Sequence, residues 1–214
     1  MQDLDLNTTG AAAPHHAGAH AIRDGAAGDV QALVDTLSDS FSHDPVLNWV
    51  IPRRQLYPDY FNLLVREVYL PRGMIHMERE GRAAALWLPP EQRYEMAPRL
   101  ALLRLGLRLL LHEGPRPLWR LRQQGRLYER HLPAEPHYYL QFIGCRQEHR
   151  GQGIGNALLE RGTGVCDQQG MPAYLESSNA LNVPLYKRHG FEVRARAPIA
   201  AGGPTTWFMW RKAR

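Results

Sequence analysis

Cysteine is scarce. The 214 residues hold two, Cys145 and Cys166, and neither lies in a Cys-x-x-Cys pair. That leaves no basis for a disulfide framework or a thiolate zinc site, and a reduced, cytoplasmic protein is expected. Long hydrophobic runs are also missing. The most apolar stretch, Leu100 to Leu111, is interrupted by Arg104 and Arg108 and is too short to span a bilayer. The first residues include Asp3 and Asp5 and no apolar run, so no secretory signal is expected there. No Gly-Lys-Ser/Thr occurs anywhere, so a P-loop is excluded. What remains is an ordinary globular composition, 44% hydrophobic and 22% charged, long enough for one full-sized domain. The net charge of +5 suits an anionic ligand but does not select one.

Residues 1–20 are rich in Ala, Gly and His and read as a disordered tail, with His15, His16 and His20 as incidental histidines rather than metal ligands. A single domain is expected over 21–214. Ile22 and Arg23 suggest a short strand. Asp29 then caps a helix whose apolar positions are Val30, Leu33, Val34, Leu37 and Phe41, ended by His43-Asp44-Pro45. A second helix is predicted over 55–69, closed by Pro71 and Gly73. A hairpin turning at Glu80-Gly81 joins strands 74–79 and 82–88. Residues 91–131 read as a two-helix insert, with Leu100, Leu103, Leu107, Leu110, Trp119 and Leu127 expected on the core. This insert carries nine arginines against four glutamates, an excess equal to the charge of the whole chain. Its basic faces read as solvated, with the alternative that some arginines face an acidic ligand.

The C-terminal third is the most informative. Strand 138–145 is followed by the loop Arg150-Gly151-Gln152-Gly153-Ile154-Gly155-Asn156, a helix ending near Gly170, and a strand over 173–178. Such a βαβ unit brings its two strands parallel. Glycines in the loop permit positive φ and close backbone approach. The first N–H groups of the helix have no internal partner and favour an anion. A pyrophosphate on the backbone of residues 151–156 is the physical expectation. A Rossmann fingerprint fails, because the third glycine would fall at Asn156 or Leu158. Glu176, about 20 residues further on as a ribose-binding acid would be, keeps that reading open.

Arg150, Gly153 and Gly155 match the Gln/Arg-x-x-Gly-x-Gly/Ala motif, and the chain here resembles the GNAT family, the GCN5-related N-acetyltransferases. Tyr139 to Cys145 resembles the family's fourth strand. The segment Tyr174 to Phe191 resembles its fifth strand, Asn-bearing loop, Tyr-bearing helix and closing Gly-Phe. The resemblance is similar to the puromycin N-acetyltransferase-like branch. It implies an α/β (α+β) fold: a mixed, mostly antiparallel sheet with splayed parallel strands four and five, helices on both faces, and the insert before strand four.

The resemblance further implies acetyl-CoA as co-substrate, with no metal. Backbone groups of Ile143, Gly144 and Cys145 would hold the pantetheine arm, and residues Arg150, Gly151, Gln152, Gly153, Ile154, Gly155 and Asn156 the pyrophosphate. Asn182 would also contact the cofactor, or else serve as a helix N-cap. Tyr186 is the expected general acid, since a phenol pKa of ~10 matches an alkyl thiol. Glu176 is the candidate base, with His137 behind it and a structural carboxylate as the alternative. Cys145 reads as a small buried residue rather than a nucleophile. The function implied is acetylation of a small-molecule primary amine by direct transfer in a ternary complex. Acetylation of a protein lysine or N-terminus, and non-catalytic acyl-CoA sensing, are the alternatives. The expected partners are the amine and optionally a second copy of the chain, with neither nucleic acid nor membrane.

Overall fold

A computed structural model describes residues 20–90, 92 and 99–214, with the side chains of 99–102, 104 and 105 left aside. Expectations for the tail, including His15 and His16, and for 93–98 lie outside the described residues.

Seven strands form one sheet: β1 (Ile22–Asp24), β2 (Met74–Glu78), β3 (Ala83–Leu88), β4 (Tyr138–Cys145), β5 (Ala173–Ser177), β6 (Glu192–Pro198) and β7 (Thr205–Arg211). Their order is β1-β2-β3-β4-β5-β7-β6. Among the described residues only the β4–β5 pair is parallel. This is the mixed sheet the resemblance implies.

Both faces are covered, so the central strands are apolar on both sides. Ala84, Leu86 and Leu88 of β3 join one core, and Ala83, Ala85 and Trp87 join the other. The first core is built under α1 (Val30–Ser40), α2 (Pro45–Val50), α3 (Tyr57–Leu64), a π-helical turn (Val65–Tyr69) and α4 (Leu70–Arg72). The insert helices α5 (Arg99–Glu113) and α6 (Arg116–His131) add Leu109 and Leu127 to it. The second core lies under α7 (Ile154–Gln168) and α8 (Val183–Arg188). Gly162 lets α7 sit directly on the sheet, because a Cβ there would meet the Trp87 ring at 2.3 Å.

Three local expectations change. Asp44-Pro45 does not simply end a helix: Asp44 caps α2, accepting from the Leu47 N–H at 2.7 Å, and Pro45 takes the first helical position. Pro71 lies within α4, so the second helical stretch runs on to Arg72. In the insert, the expected inward residues Leu103, Leu107, Leu110 and Trp119 are 67%, 52%, 43% and 51% exposed, while Leu109 is fully buried. Helix α5 carries leucines on nearly every side, so its pattern does not specify which face turns inward. Leu127 of α6 is buried as expected.

Candidate active site

Strands β4 and β5 pair at Tyr138–Ala173, Tyr139–Tyr174 and Leu140–Leu175, and then the ladder stops. Beyond it β4 continues to Cys145 on β3 alone. Facing β3, the register slips between Leu86 and Trp87, leaving Gln141 as the extra residue of a bulge. The Tyr69 hydroxyl hydrogen-bonds the Gln141 side chain and fixes this point. A bulge adds twist, which helps β4 leave β5. The outcome is a wedge open from Gln141 onward.

The ladder also fixes which backbone groups line the wedge. Arg146 N–H donates to the Arg82 carbonyl at 2.8 Å. Hydrogen-bonded pairs alternate along an antiparallel ladder. Gly144 and Phe142 therefore bond β3, and the N–H and C=O of Ile143 and Cys145 point away from it, into the wedge. Gly144 itself serves α1: a Cβ there would meet the Ser40 side chain at 2.6 Å.

The glycine loop lies at the end of β4. Residues 146–150 are tied to the C-terminal half of α1. Gln147 N–H donates to Asp39 Oδ2 at 2.8 Å, and Arg150 Nη2 donates to the Ser40 carbonyl at 2.7 Å. The Arg150 guanidinium thus anchors the loop from behind. Gly151 and Gly153 have φ of 77° and 88°, a region that favours glycine. Gly153 occupies the N-cap of α7 without a side-chain cap, and a Cβ on Gly151 would meet nothing within 4 Å. Among the described residues no acceptor takes the N–H groups of 151–155. Exposed backbone donors beside open space at a helix N-terminus suit a phosphate. Ile154 anchors the helix in the core at 1% exposure. The Asn156 side chain is engaged elsewhere, donating to Glu160 Oε1 at 2.6 Å and meeting His189 Nε2 at 2.8 Å. His20, read from sequence as part of the tail, bonds the Gln152 carbonyl through Nε2 at 2.7 Å.

Glu176 is the first β5 residue past the ladder. It is partly buried, and its Oε1 is sealed from solvent, with the Tyr139 and Tyr174 hydroxyls as its hydrogen-bonding neighbours. Burial raises its pKa to about 7, with the nearby Tyr139 and Tyr174 phenols opposing the rise. Tyr186, on α8, is 6% exposed, and burial lifts its phenol far above the ordinary value. Glu176 alternates with Leu175 of the second core and so faces the first, whereas Tyr186 belongs to the second. The two stand on opposite sides of the sheet at the wedge.

Some expected residues are placed elsewhere. His137 precedes β4 at the closed end, against Tyr174 and Trp210 with its Nδ1 at 2.6 Å from the Glu135 carbonyl. Asn182 takes the N-cap position of α8, exposed, without a side-chain cap bond. The Cys145 thiol is pushed up by burial, which disfavours a thiolate nucleophile.

Sequence reasoning missed Asp44 and Tyr128. Asp44 reaches the Ser178 hydroxyl, tying α2 to the segment after β5, and its charge is felt at Tyr57, Tyr128 and Tyr186. Tyr128 of α6 is raised by burial and by Glu176, with Gln124 and Thr206 beside its hydroxyl. Helix α6 is held there by Arg120 Nη1 donating to the Trp49 carbonyl at 2.7 Å and by His131 stacked on Phe208 at 4.0 Å. The insert therefore forms a wall of the site, and presents a tyrosine where an arginine was one expectation.

Comparison with known proteins agrees with this geometry. The model of the Acetyltransferase (GNAT) family matches residues 117–191, from α6 through the glycine loop to Phe191. An uncharacterised N-acetyltransferase of Schizosaccharomyces pombe is 26% identical over 188 residues, covering 76% of this chain and 70% of that protein. The crystal structure of histone acetyltransferase HPA2 and related acetyltransferase from Corynebacterium glutamicum has a TM-score of 0.65 at 23% identity, covering 91% of this chain and 97% of its own. The PaiA N-acetyltransferase of Thermoplasma acidophilum, solved with coenzyme A, has a TM-score of 0.52 at 13% identity, covering 90% and 98%. Over residues 117–191 the chain is thus similar to the GNAT family of acetyltransferases, and its sheet shares the fold of these solved structures.

Proposed function

We propose that the protein transfers an acetyl group from acetyl-CoA to a primary amine of a small molecule, directly and within a ternary complex. The observation that carries this is the wedge between β4 and β5. Unpaired backbone groups of Ile143 and Cys145 line it, free amides of residues 151–155 stand at one end, and Glu176 and Tyr186 flank it.

The residues present fit the co-substrate. The amides of the glycine loop receive the pyrophosphate, and the β4 edge receives the pantetheine amides as a further strand would be received. Acetyl-CoA supplies the activated acyl carbon. The Cys145 N–H, pointing into the wedge, is the donor available to the thioester carbonyl as negative charge develops on its oxygen.

Glu176 takes the proton from the attacking amine. With a pKa of about 7 it is part-ionised at neutral pH and basic enough to be useful. The new bond joins the amine nitrogen to the acyl carbon, and the carbon–sulfur bond breaks. The sulfur receives its proton from Tyr186. A phenol kept neutral by burial holds its proton until a thiolate forms, and that thiolate is itself more basic in a dry site.

The test is release of free thiol from acetyl-CoA over a panel of small amines, beside a panel of lysine peptides. Turnover of small amines with idle peptides is expected. Coenzyme A binding without any turnover would mean a sensor, and no binding would end the proposal.

A further inference from the structure

The outer face of the insert carries two features that the wedge does not use. The first is a row of exposed leucines. Leu103, Leu107, Leu110 and Leu111 stand at i, i+4, i+7 and i+8, the spacing of one helix face, and all four are exposed, Leu111 by 73%. The core lies on the opposite side of α5, where Leu109 is fully buried. The Gly114-Pro115 connection turns α6 back along α5. Leu118 then lies on Gly106, where a Cβ would meet its Cδ2 at 3.9 Å, and Gly106 stands between Leu103 and Leu110 on the helix surface. Exposed Leu118 and Trp119 thus extend the row onto the second helix. Leucines exposed singly need no explanation, whereas a contiguous apolar face marks a partner.

The second feature is charge. Leu118 is followed at four-residue steps by Arg122, Arg126 and Arg130, so an arginine row continues the same face of α6. All three are exposed, and none is in an ion pair among the described residues. Glu129 is the one carboxylate in α6. Other charged groups tie the hairpin to the rest of the fold: Arg108 bonds Asp59, Glu113 accepts from Arg53 Nε at 2.9 Å, and Arg120 donates to the Trp49 carbonyl. These bonds, with Leu109 and Leu127 in the core, fix which way the hairpin faces. A symmetric pair of chains meeting here would set the same guanidinium groups against each other, which opposes association. A partner both apolar and anionic satisfies both rows. A bilayer of acidic lipids offers acyl chains and phosphates together, and tryptophan settles at the level between them.

We propose that the outer face of the α5–α6 hairpin docks the protein on an anionic lipid surface, the leucine row entering the boundary between headgroups and acyl chains and Arg122, Arg126 and Arg130 meeting the lipid phosphates. Among the described residues no helix is long and apolar enough to cross a membrane, so the contact lies along the surface. The sequence pattern puts Leu103, Leu107 and Leu110 on the core and foresees no membrane partner; the outward turn of these leucines is what opens the surface to lipid. Docking goes beyond acetylation and does not depend on it.

The test is flotation of the full chain with vesicles of phosphatidylcholine alone and of phosphatidylcholine and phosphatidylglycerol in equal parts. The wild type should bind the acidic vesicles at least ~10-fold more tightly than the neutral ones. Leu107→Ser with Leu111→Ser should reduce that binding at least ~10-fold, and Arg122→Gln with Arg126→Gln at least ~5-fold. Arg79→Gln with Arg196→Gln removes the same charge from exposed positions on the β2–β3 turn and on β6, and should leave binding within ~2-fold. All the substituted side chains are exposed, and urea unfolding checks that each variant keeps its fold. Absence of binding to acidic vesicles overturns the inference. Binding that survives the loss of both leucines, or that falls equally for either pair of arginines, is adsorption by net charge and overturns it too. So does a chain that ignores vesicles and forms a leucine-dependent dimer in light scattering. Acetyl transfer to soluble amines stands or falls separately.

Discussion

Replacing Glu176 by glutamine separates the cost of this residue from its use. The carboxyl keeps its proton up to about pH 7 in the folded chain, against an ordinary value of 4.5. A folded-state pKa raised in this way means that the native state binds the proton more tightly than the unfolded chain. Stability from this group is complete below pH 4.5 and is lost as pH rises through 7. The loss amounts to ~3 kcal/mol once both states are ionised. Glutamine does not ionise, and its shape is nearly the same. The stability of Glu176→Gln minus that of the wild type should therefore grow by ~3 kcal/mol between pH 4 and pH 9. Urea unfolding at four or five pH values measures this directly. The same variant should lose most of its turnover, and with it the acidic limb of the kcat/KM profile near pH 7. A stability difference that stays flat with pH would refute the account of a buried, unpaired carboxylate.

Tyr186→Phe should lower kcat by ~100-fold or more, the usual worth of a positioned general acid, with the KM for acetyl-CoA nearly unchanged. Unaltered turnover would remove the tyrosine from the reaction. His20→Ala removes the bond to the Gln152 carbonyl and should weaken coenzyme A binding about fivefold, ~1 kcal/mol, by loosening the glycine loop; calorimetry reads it. Gly162→Ala forces a methyl group into the Trp87 ring and should cost ~1–3 kcal/mol of stability in denaturant unfolding, without a change in cofactor affinity.

Much of the fold could be read in advance where the signals are local. The hairpin turning at Gly81, the strand–loop–helix–strand run from 138 to 177 and the short helix carrying Tyr186 all lie close to where pattern and turn chemistry put them. Helix α2 was legible too, because an aspartate before a proline is a cap followed by a favoured first position. Reading Asp44-Pro45 only as a stop concealed it. The inward face of α5 was not legible, since leucine on all sides gives no direction.

The sequence by itself determined the glycine turn with its free N–H groups and the parallel pair that flanks it, because glycines at 151, 153 and 155 and the periodicity around them act over a few residues. Tertiary structure alone decided what surrounds the reacting end of the wedge. Asp44, Tyr128 and Glu176 are separated by 84 and 48 positions, and no local rule relates a helix cap, an insert helix and a strand end. Their meeting depends on where β4 leaves β5 and on how α2 and α6 lock together through Trp49 and Arg120. Burial, which gives Glu176 its altered acidity, is a property of that assembly and of no single segment.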